Sequence, residues 1–279
     1  MLNRLPILPI SLVFAAVLPA CGDGKGLPEN PIPPEETKRD FKVIHTFVAL
    51  CDNKSQGIAP VPEKIGNGDD PANNLYWGCT DGSRTFFSKS KKWTRLSVTK
   101  VKGQPEILER LVFQHKSSRT LMVIDAWRGS NIELCMQQFL QSMAGQRYES
   151  FAVTDQRGEH VLNIAGGSDL LAFIGHNGLM EFSLPSQRAN PKRKQPVSAV
   201  VLCCQSKRFF AKHMTPSGAR PIVMTASNMY PGAFILHDVI EGWLKNEDTK
   251  KLRLRAAKAY AKNQKISTKS ALNVFAPLP

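Results

Sequence analysis

Asp169-Leu-Leu-Ala-Phe-Ile-Gly175 and Val197-Ser-Ala-Val-Val-Leu-Cys203 are short runs that stay apolar almost throughout. A strand with one wet face alternates apolar and polar residues, whereas a continuous apolar run is buried on both faces. Lys42 to Leu50, Thr120-Leu-Met-Val-Ile-Asp125 and Pro221-Ile-Val-Met-Thr-Ala226 carry the same pattern. Helical patterns separate these runs. Asn131 to Met143 places Ile132, Cys135, Met136, Phe139 and Leu140 on one face at 3.6 spacing. Further helices are expected to begin over Lys207 to His213 and to cover about Gly232 to Leu244 and Arg253 to Gln264. Continuous strands alternating with helices predict an α/β fold, a mainly parallel central sheet with helices on both faces. Residues 148–165 have room for one or two more short strands. Gly57, Pro60, Pro62, Gly66, Gly68 and Pro71 make residues 51–74 a long irregular loop, of the kind that is functional or disordered. Asn73 to Ser90 reads as partly helical, with Gly78 and Gly82 against it.

The amino terminus reads differently. Met1-Leu-Asn-Arg4 is basic, and Leu5 to Leu18 is uncharged and mostly apolar. That run is too short to cross a bilayer comfortably, which takes about 20 residues. A basic start, a short apolar run and a small residue before the cut describe a signal peptide over residues 1–20. Leu18-Pro-Ala-Cys21 resembles the lipobox of bacterial lipoproteins, although Pro19 is unusual at its place. The resemblance implies that Cys21 receives lipid and becomes the first residue of an envelope-anchored protein. Gly22 is not the aspartate that favours inner-membrane retention in that family, which implies the outer membrane. Plain secretion and an uncleaved apolar start are the alternatives. Residues 21–40, rich in Gly, Pro and acidic groups, read as a flexible tether, and 41–279 as one domain.

The chain carries 37 basic and 23 acidic residues, a net charge of +14. Its basic runs are Lys89-Ser-Lys-Lys92, Lys192-Arg-Lys194 and Lys250-Lys-Leu-Arg-Leu-Arg255. None adjoins a recognition motif, so nucleic acid is not an expected partner. Solvated faces, or attraction to an anionic membrane or envelope polymer, account for them. With Cys21 lipidated, five cysteines remain, so at least one is unpaired or bridges between molecules. Cys51 and Cys79 flank the loop-rich region and are candidates for a disulfide, or for two buried thiols. No ligand spacing suggests zinc, and no cofactor is expected. Gly166-Gly-Ser168 precedes a strand, the wrong order for a phosphate loop.

In a parallel sheet, ligands bind beyond the carboxyl ends of the strands. His176-Asn-Gly178 and Cys203-Cys204-Gln-Ser206 follow two of them. If those strands are neighbours, at about 4.8 Å, an imidazole and a thiol share one rim. A thiol needs such a partner, being only a few per cent thiolate near neutrality. Histidine can also protonate a leaving amine, and N–H groups at the turn can stabilise an oxyanion. Each residue alone has a plainer reading, His176 as a satisfied structural histidine and Cys203 as a small hydrophobe at the sheet end. Asp125 ends another strand and either lines the site or caps a turn. His45 lies inside a strand, His115 precedes one, and His237 lies in a helix beside Asp238.

This order of elements resembles the clan CD cysteine peptidases, the caspases, legumains and gingipains. Leu171-Ala-Phe-Ile-Gly-His176 is similar to their apolar strand ending in histidine. Val200-Val-Leu-Cys-Cys204-Gln-Ser206 is similar to their strand ending in Ala-Cys and a polar pair. Pro221-Ile-Val-Met-Thr-Ala-Ser-Asn228 resembles the next legumain strand, which ends beside the specificity pocket. The resemblance covers roughly residues 118–245. It implies a caspase-like domain with His176 and Cys204 as a catalytic dyad, Cys203 in place of a small residue, and Ser227 and Asn228 at the pocket. In that family Gly directly follows the histidine and supplies an oxyanion-hole N–H. Here Asn177 intervenes before Gly178, so either the turn is one residue longer or the hole is altered. The expectation is an envelope cysteine peptidase or related thiol hydrolase acting on peptides. The alternative is an inactive binding lipoprotein that keeps the fold.

Overall fold

The computed structural model describes residues 40–279 apart from 100 and 102. The expected signal peptide, Cys21 and the tether up to residue 39 lie outside the described residues. The chain runs β1 (Lys42–Ala49), α1 (Ser83–Lys89), β2 (Trp93–Thr99), β3 (Ile107–His115), β4 (Thr120–Trp127) and α2 (Ile132–Met143). It continues through β5 (Tyr148–Asp155), β6 (Gly158–Ala165), β7 (Leu170–Ile174), β8 (Ser198–Leu202), α3 (Ser206–Ser217) and β9 (Arg220–Met224). It ends with α4 (Ala233–Trp243), α5 (Thr249–Gln264) and α6 (Thr268–Leu272).

The central sheet has seven strands in the order β2-β3-β4-β1-β7-β8-β9. The five apolar runs of the sequence are its five parallel strands. From β1 the chain moves outward to β4, then returns to β7 on the other side of β1. That reversal puts a crevice between the carboxyl ends of β1 and β7. β2 and β3 extend the β4 edge as an antiparallel hairpin, and β5 and β6 pair only with each other.

Alternate side chains along each strand face opposite sides of the sheet, and both sides are covered. Ile44, Val48, Met122, Ile124, Ala172, Ile174, Val200 and Leu202 pack with α4 and α5 residues such as Leu236, Ile240, Leu252 and Tyr260. Phe47, Leu171, Phe173 and Val201 pack with Met136 and Phe139 of α2 and Phe210 of α3. Beside that second layer, β5 and β6 cover Val43, Val112, Leu121 and Val123 with Val153, Leu162 and Ile164. Each large apolar side chain so buried contributes about 1.5–3 kcal/mol. The double covering is the physical reason the strands do not alternate.

Candidate active site at the carboxyl edge

Register brings the two sequence candidates together. β7 and β8 are parallel neighbours with Ile174 opposite Leu202, so two residues later His176 and Cys204 emerge level with each other. Asn177 ties the turns, its Nδ2 donating to the Cys204 carbonyl at 2.6 Å. After Cys204 the backbone reverses through Gln205, which takes a left-handed φ of 50°. Such a conformation costs a non-glycine residue about 1–2 kcal/mol, and a set of hydrogen bonds holds it. The Gln205 N–H donates to the Ser227 carbonyl at 3.0 Å, and Nε2 to Asn228 Oδ1 at 3.0 Å. The Ser206 N–H donates to Thr225 Oγ1 at 2.9 Å, and the Thr225 N–H returns to Ser206 Oγ at 2.8 Å. Ser227 and Asn228 therefore stand beside the cysteine turn.

His176 has a partner that sequence reasoning missed. Gly178 opens a short 3-10 turn whose carbonyl accepts the N–H groups of Glu181 and Phe182. The turn returns the Glu181 carboxylate to His176, with Oε1 2.5 Å from Nε2. The same oxygen accepts the Gly57 N–H at 2.9 Å. A carboxylate on Nε2 orients the ring and leaves Nδ1 as the proton acceptor. The Cys204 thiol, half-buried, lies 3.6 Å from the Met229 carbonyl and 3.4 Å from the Met229 nitrogen. No hydrogen bond joins His176 to Cys204. Among the described residues, the N–H groups of Gly178 and Cys204 donate to no protein acceptor.

The long loop after β1 is ordered. Asn74 spans it, accepting the N–H of Cys51 at 3.1 Å and of Tyr76 at 3.1 Å, and donating to the carbonyls of Cys51 at 2.8 Å and Asn67 at 2.9 Å. Gln56 Nε2 donates to the carbonyls of Leu50 and Gly129 at 2.8 and 2.9 Å, pinning the loop over the ends of β1 and β4. Gly129 is required there, because a Cβ would come 2.5 Å from Cβ of Asp52 and 2.9 Å from Cα of Gly68. The loop thus covers the carboxyl ends of β1 and β4, and Gly57 reaches Glu181 from it.

No family model, curated protein or solved structure matches this chain. The reading of the site therefore stands on the geometry and on the order of elements. Among the described residues no cluster of His, Cys, Asp and Glu is placed to hold a metal ion, and no helix is long and apolar enough to cross a membrane.

Cys51 and Cys79, left open as a disulfide or as two thiols, are both free thiols. The loop network turns them to separate partners. Cys51 is buried against Tyr76, while the Cys79 thiol donates to the Asn73 carbonyl at 3.3 Å. Burial pushes the Cys51 thiol up to about 11, raises Cys79, and holds Cys135 and Cys203 well above the usual thiol value. A thiol held protonated is a poor nucleophile. Cys203 packs in the same apolar cluster as Phe210, in the space-filling role its sequence position suggested.

Asp125 does not line the site. β4 runs two residues past it to Trp127, and its side chain is fully buried on the sheet face under β5 and β6. Arg110 grips it with two hydrogen bonds of 2.6 Å, and His45 Nε2 lies 2.9 Å away. The Ala165 N–H donates to His45 Nδ1 at 3.2 Å, which makes Nε2 the protonated nitrogen. Arg110 also pairs with Glu149, which Arg147 holds at 3.0 Å. Burial opposes the Asp125 charge, yet Arg110 and His45 together hold its carboxyl at about 2. Burial lowers His45. His115 and His237 are likewise engaged, the first by Ser118 and Glu241, the second by Ser90 and Asp238. Two clefts bordered by Asp40, Phe41, Arg119 and Thr120 lie at the opposite, amino end of the strands.

Proposed function

We propose that this chain is a thiol hydrolase of the cell envelope that cleaves peptide bonds. Cys204 is the nucleophile, His176 carries the proton and Glu181 positions His176. One observation carries the reading: on adjacent parallel strands, His176 and a half-buried Cys204 emerge level, with the imidazole held by a carboxylate at 2.5 Å. The order of strands and the residues that end them support a caspase-like form of the fold, and the sequence of residues 1–21 supports export and lipid anchoring at Cys21.

The chemistry balances with this chain's groups and water. His176 takes the Cys204 proton as Sγ attacks the carbonyl carbon of a bound peptide. The free N–H groups of Gly178 and Cys204 are available to the oxyanion. Collapse expels the amine, which takes the proton back from His176, and leaves a thioester. Water, deprotonated by His176, attacks the thioester and regenerates the thiol. Before attack, Cys204 must leave its Met229 contacts, which a bound peptide would have to displace. Labelling the full chain with a thiol-directed probe and incubating it with a diverse peptide library tests the proposal. Cys204→Ala should abolish labelling and turnover. Absence of wild-type cleavage across the library refutes it.

The second reading is a peptide-binding envelope protein without turnover. It is favoured by the absence of a His176–Cys204 hydrogen bond and by Asn177 standing where the clan CD peptidases that the sequence resembles have glycine. Peptide binding that survives Cys204→Ala, with no cleavage by the wild type, selects it.

A further inference from the structure

We propose that the outer face of α5 docks the protein on an anionic membrane surface. Leu252, Ala256, Ala257, Ala259, Tyr260 and Ala261 point inward. An α-helix turns about 100° per residue, so Lys250, Lys251, Leu254, Lys258 and Lys262 fall within a sector of about 120° that faces away from Leu252, Ala256, Ala259 and Tyr260, with buried Ala261 of the last turn also inside it. All five are exposed, and Lys265 and Ile266 prolong the strip beyond the helix end.

All but one of the strip's lysines lack a carboxylate partner, whereas the arginines of the same helix are engaged. Arg253 donates to the carbonyls of Phe275 and Leu272 at 2.8 and 2.7 Å, and Arg255 pairs with Glu247 at 2.5 Å. Lys251 has only Asp248, at 3.9 Å. Among the described residues, Lys250, Lys258, Lys262 and Lys265 have no carboxylate partner. From Thr249 to Pro279 the sequence holds eight basic residues (Lys250, Lys251, Arg253, Arg255, Lys258, Lys262, Lys265, Lys269) and no acidic one. The field of this strip is offset only at its start, by Asp248 and Glu247, and reaches about one Debye length, ~8 Å at physiological salt.

Two observations favour lipid over another polyanion. Of the four large apolar side chains exposed among the described residues, Leu254 at 37% and Ile266 at 43% lie on this strip. Lipid gives such groups an apolar phase, whereas a nucleic acid or polysaccharide backbone does not. The chain also enters the domain beside the start of the helix: Lys42 Nζ lies 4.6 Å from the ring of Trp243, which ends α4 just before α5 begins. A tether carrying lipid at Cys21 would deliver this end of α5 to the surface, the two-signal attachment that stable anchoring takes. At its other end Asn263 Nδ2 bonds Asp81 at 2.9 Å, and the Tyr260 hydroxyl accepts the N–H of Tyr230, next to Met229, at 3.3 Å. A docked α5 would hold the Cys204 rim beside the membrane. The docking does not depend on the hydrolase reading.

Co-sedimentation of the full chain with phosphatidylcholine vesicles, with and without phosphatidylglycerol, tests this. The wild type should prefer the anionic vesicles, and added salt should weaken that preference. Lys250→Glu, Lys258→Glu and Lys262→Glu together should weaken anionic binding about a hundredfold. Reversing exposed Lys89, Lys91 and Lys116 in the same way should change it little. Leu254→Ser with Ile266→Ser should weaken binding and leave its salt dependence. Circular dichroism confirms that each variant is folded. No preference for anionic vesicles, equal losses from the two reversals, or a serine pair without effect would each overturn the proposal.

Discussion

Replacing Asp125 with alanine is the sharpest test of how the sheet holds its buried charges. In the native protein its carboxylate takes two bonds of 2.6 Å from Arg110 and one of 2.9 Å from His45, with no exposure to solvent. Its removal strands the Nε and Nη2 donors of Arg110 and the Nε2–H of His45 in an apolar layer. Breaking one side of a buried ion pair costs about 3–5 kcal/mol. For a domain of this size each kcal/mol lowers Tm by about 2–4 °C, so a fall of roughly 6–20 °C is expected. Urea unfolding at neutral pH should show a lower midpoint at unchanged slope. The double variant Asp125→Leu with Arg110→Met removes both charges, and Arg147 still holds Glu149. It should be less damaged than the sum of its single variants, because no stranded charge remains. The pH dependence has a defined sign. The folded carboxyl titrates at about 2, below its ordinary 3.8, so its contribution is complete above pH 3.8 and is lost as pH falls through 2. A cost below about 1 kcal/mol for Asp125→Ala, or a double variant as damaged as the sum, would refute the reasoning.

Cys203→Ala should retain probe labelling at Cys204, because Cys203 is fully buried; loss of labelling there would show that the assignment has the wrong sulfur. His176→Ala should lower peptide turnover by several orders of magnitude. Glu181→Gln should lower kcat by about a hundredfold with little change in KM, and an unchanged kcat would remove Glu181 from the site. Burial, with Lys212 beside it, holds the His213 imidazole down to about 4 from 6.5. The unfolded chain therefore binds a proton that the native state refuses between those values, so stability falls by up to about 3 kcal/mol as pH drops from 6.5 to 4. His213→Gln should flatten that slope in urea unfolding. Cys21→Ser should move the protein from the lipid-linked fraction to one released from membranes by salt; continued salt-resistant attachment would argue against lipidation.

The parallel sheet was legible because double burial writes itself directly into composition. All five parallel strands and the four main helices fall where apolar runs and 3.6 periodicity place them. β3 was not legible, because Ile107–His115 carries Glu109, Arg110 and Gln114, and a charged residue mid-strand argues against burial. Arg110 is buried because its partners arrive from β4 and β5, and no local pattern encodes that. The same non-locality hid the buried role of Asp125, whose place near a strand end looked like a rim position. Glu181 was within reach of sequence, five residues after His176 and just past a His-x-Gly turn. What was missing was the 3-10 geometry that folds it back.

His45 and His176 show how a structural histidine differs from the one proposed to react. Each meets a carboxylate through Nε2. His45 gives its other nitrogen to the Ala165 N–H, lies within a ladder between β4 and β7, and is 1% exposed. Both its nitrogens are committed, burial lowers its affinity for a proton, and it holds one tautomer. It can neither take nor give a proton without breaking the core. His176 stands past the end of its strand, where Asn177 ties its turn to that of Cys204. Its carboxylate comes from Glu181, a partly exposed residue on a short turn, and its Nδ1 has no protein partner among the described residues. A proton can therefore arrive at and leave His176 at the cost of one local turn, whereas the same event at His45 would disturb the network joining β1, β3, β4 and β5. His45, His115, His160, His176 and His237 each meet a carboxylate, and in the function proposed it is His176, past the end of β7, that would carry the proton.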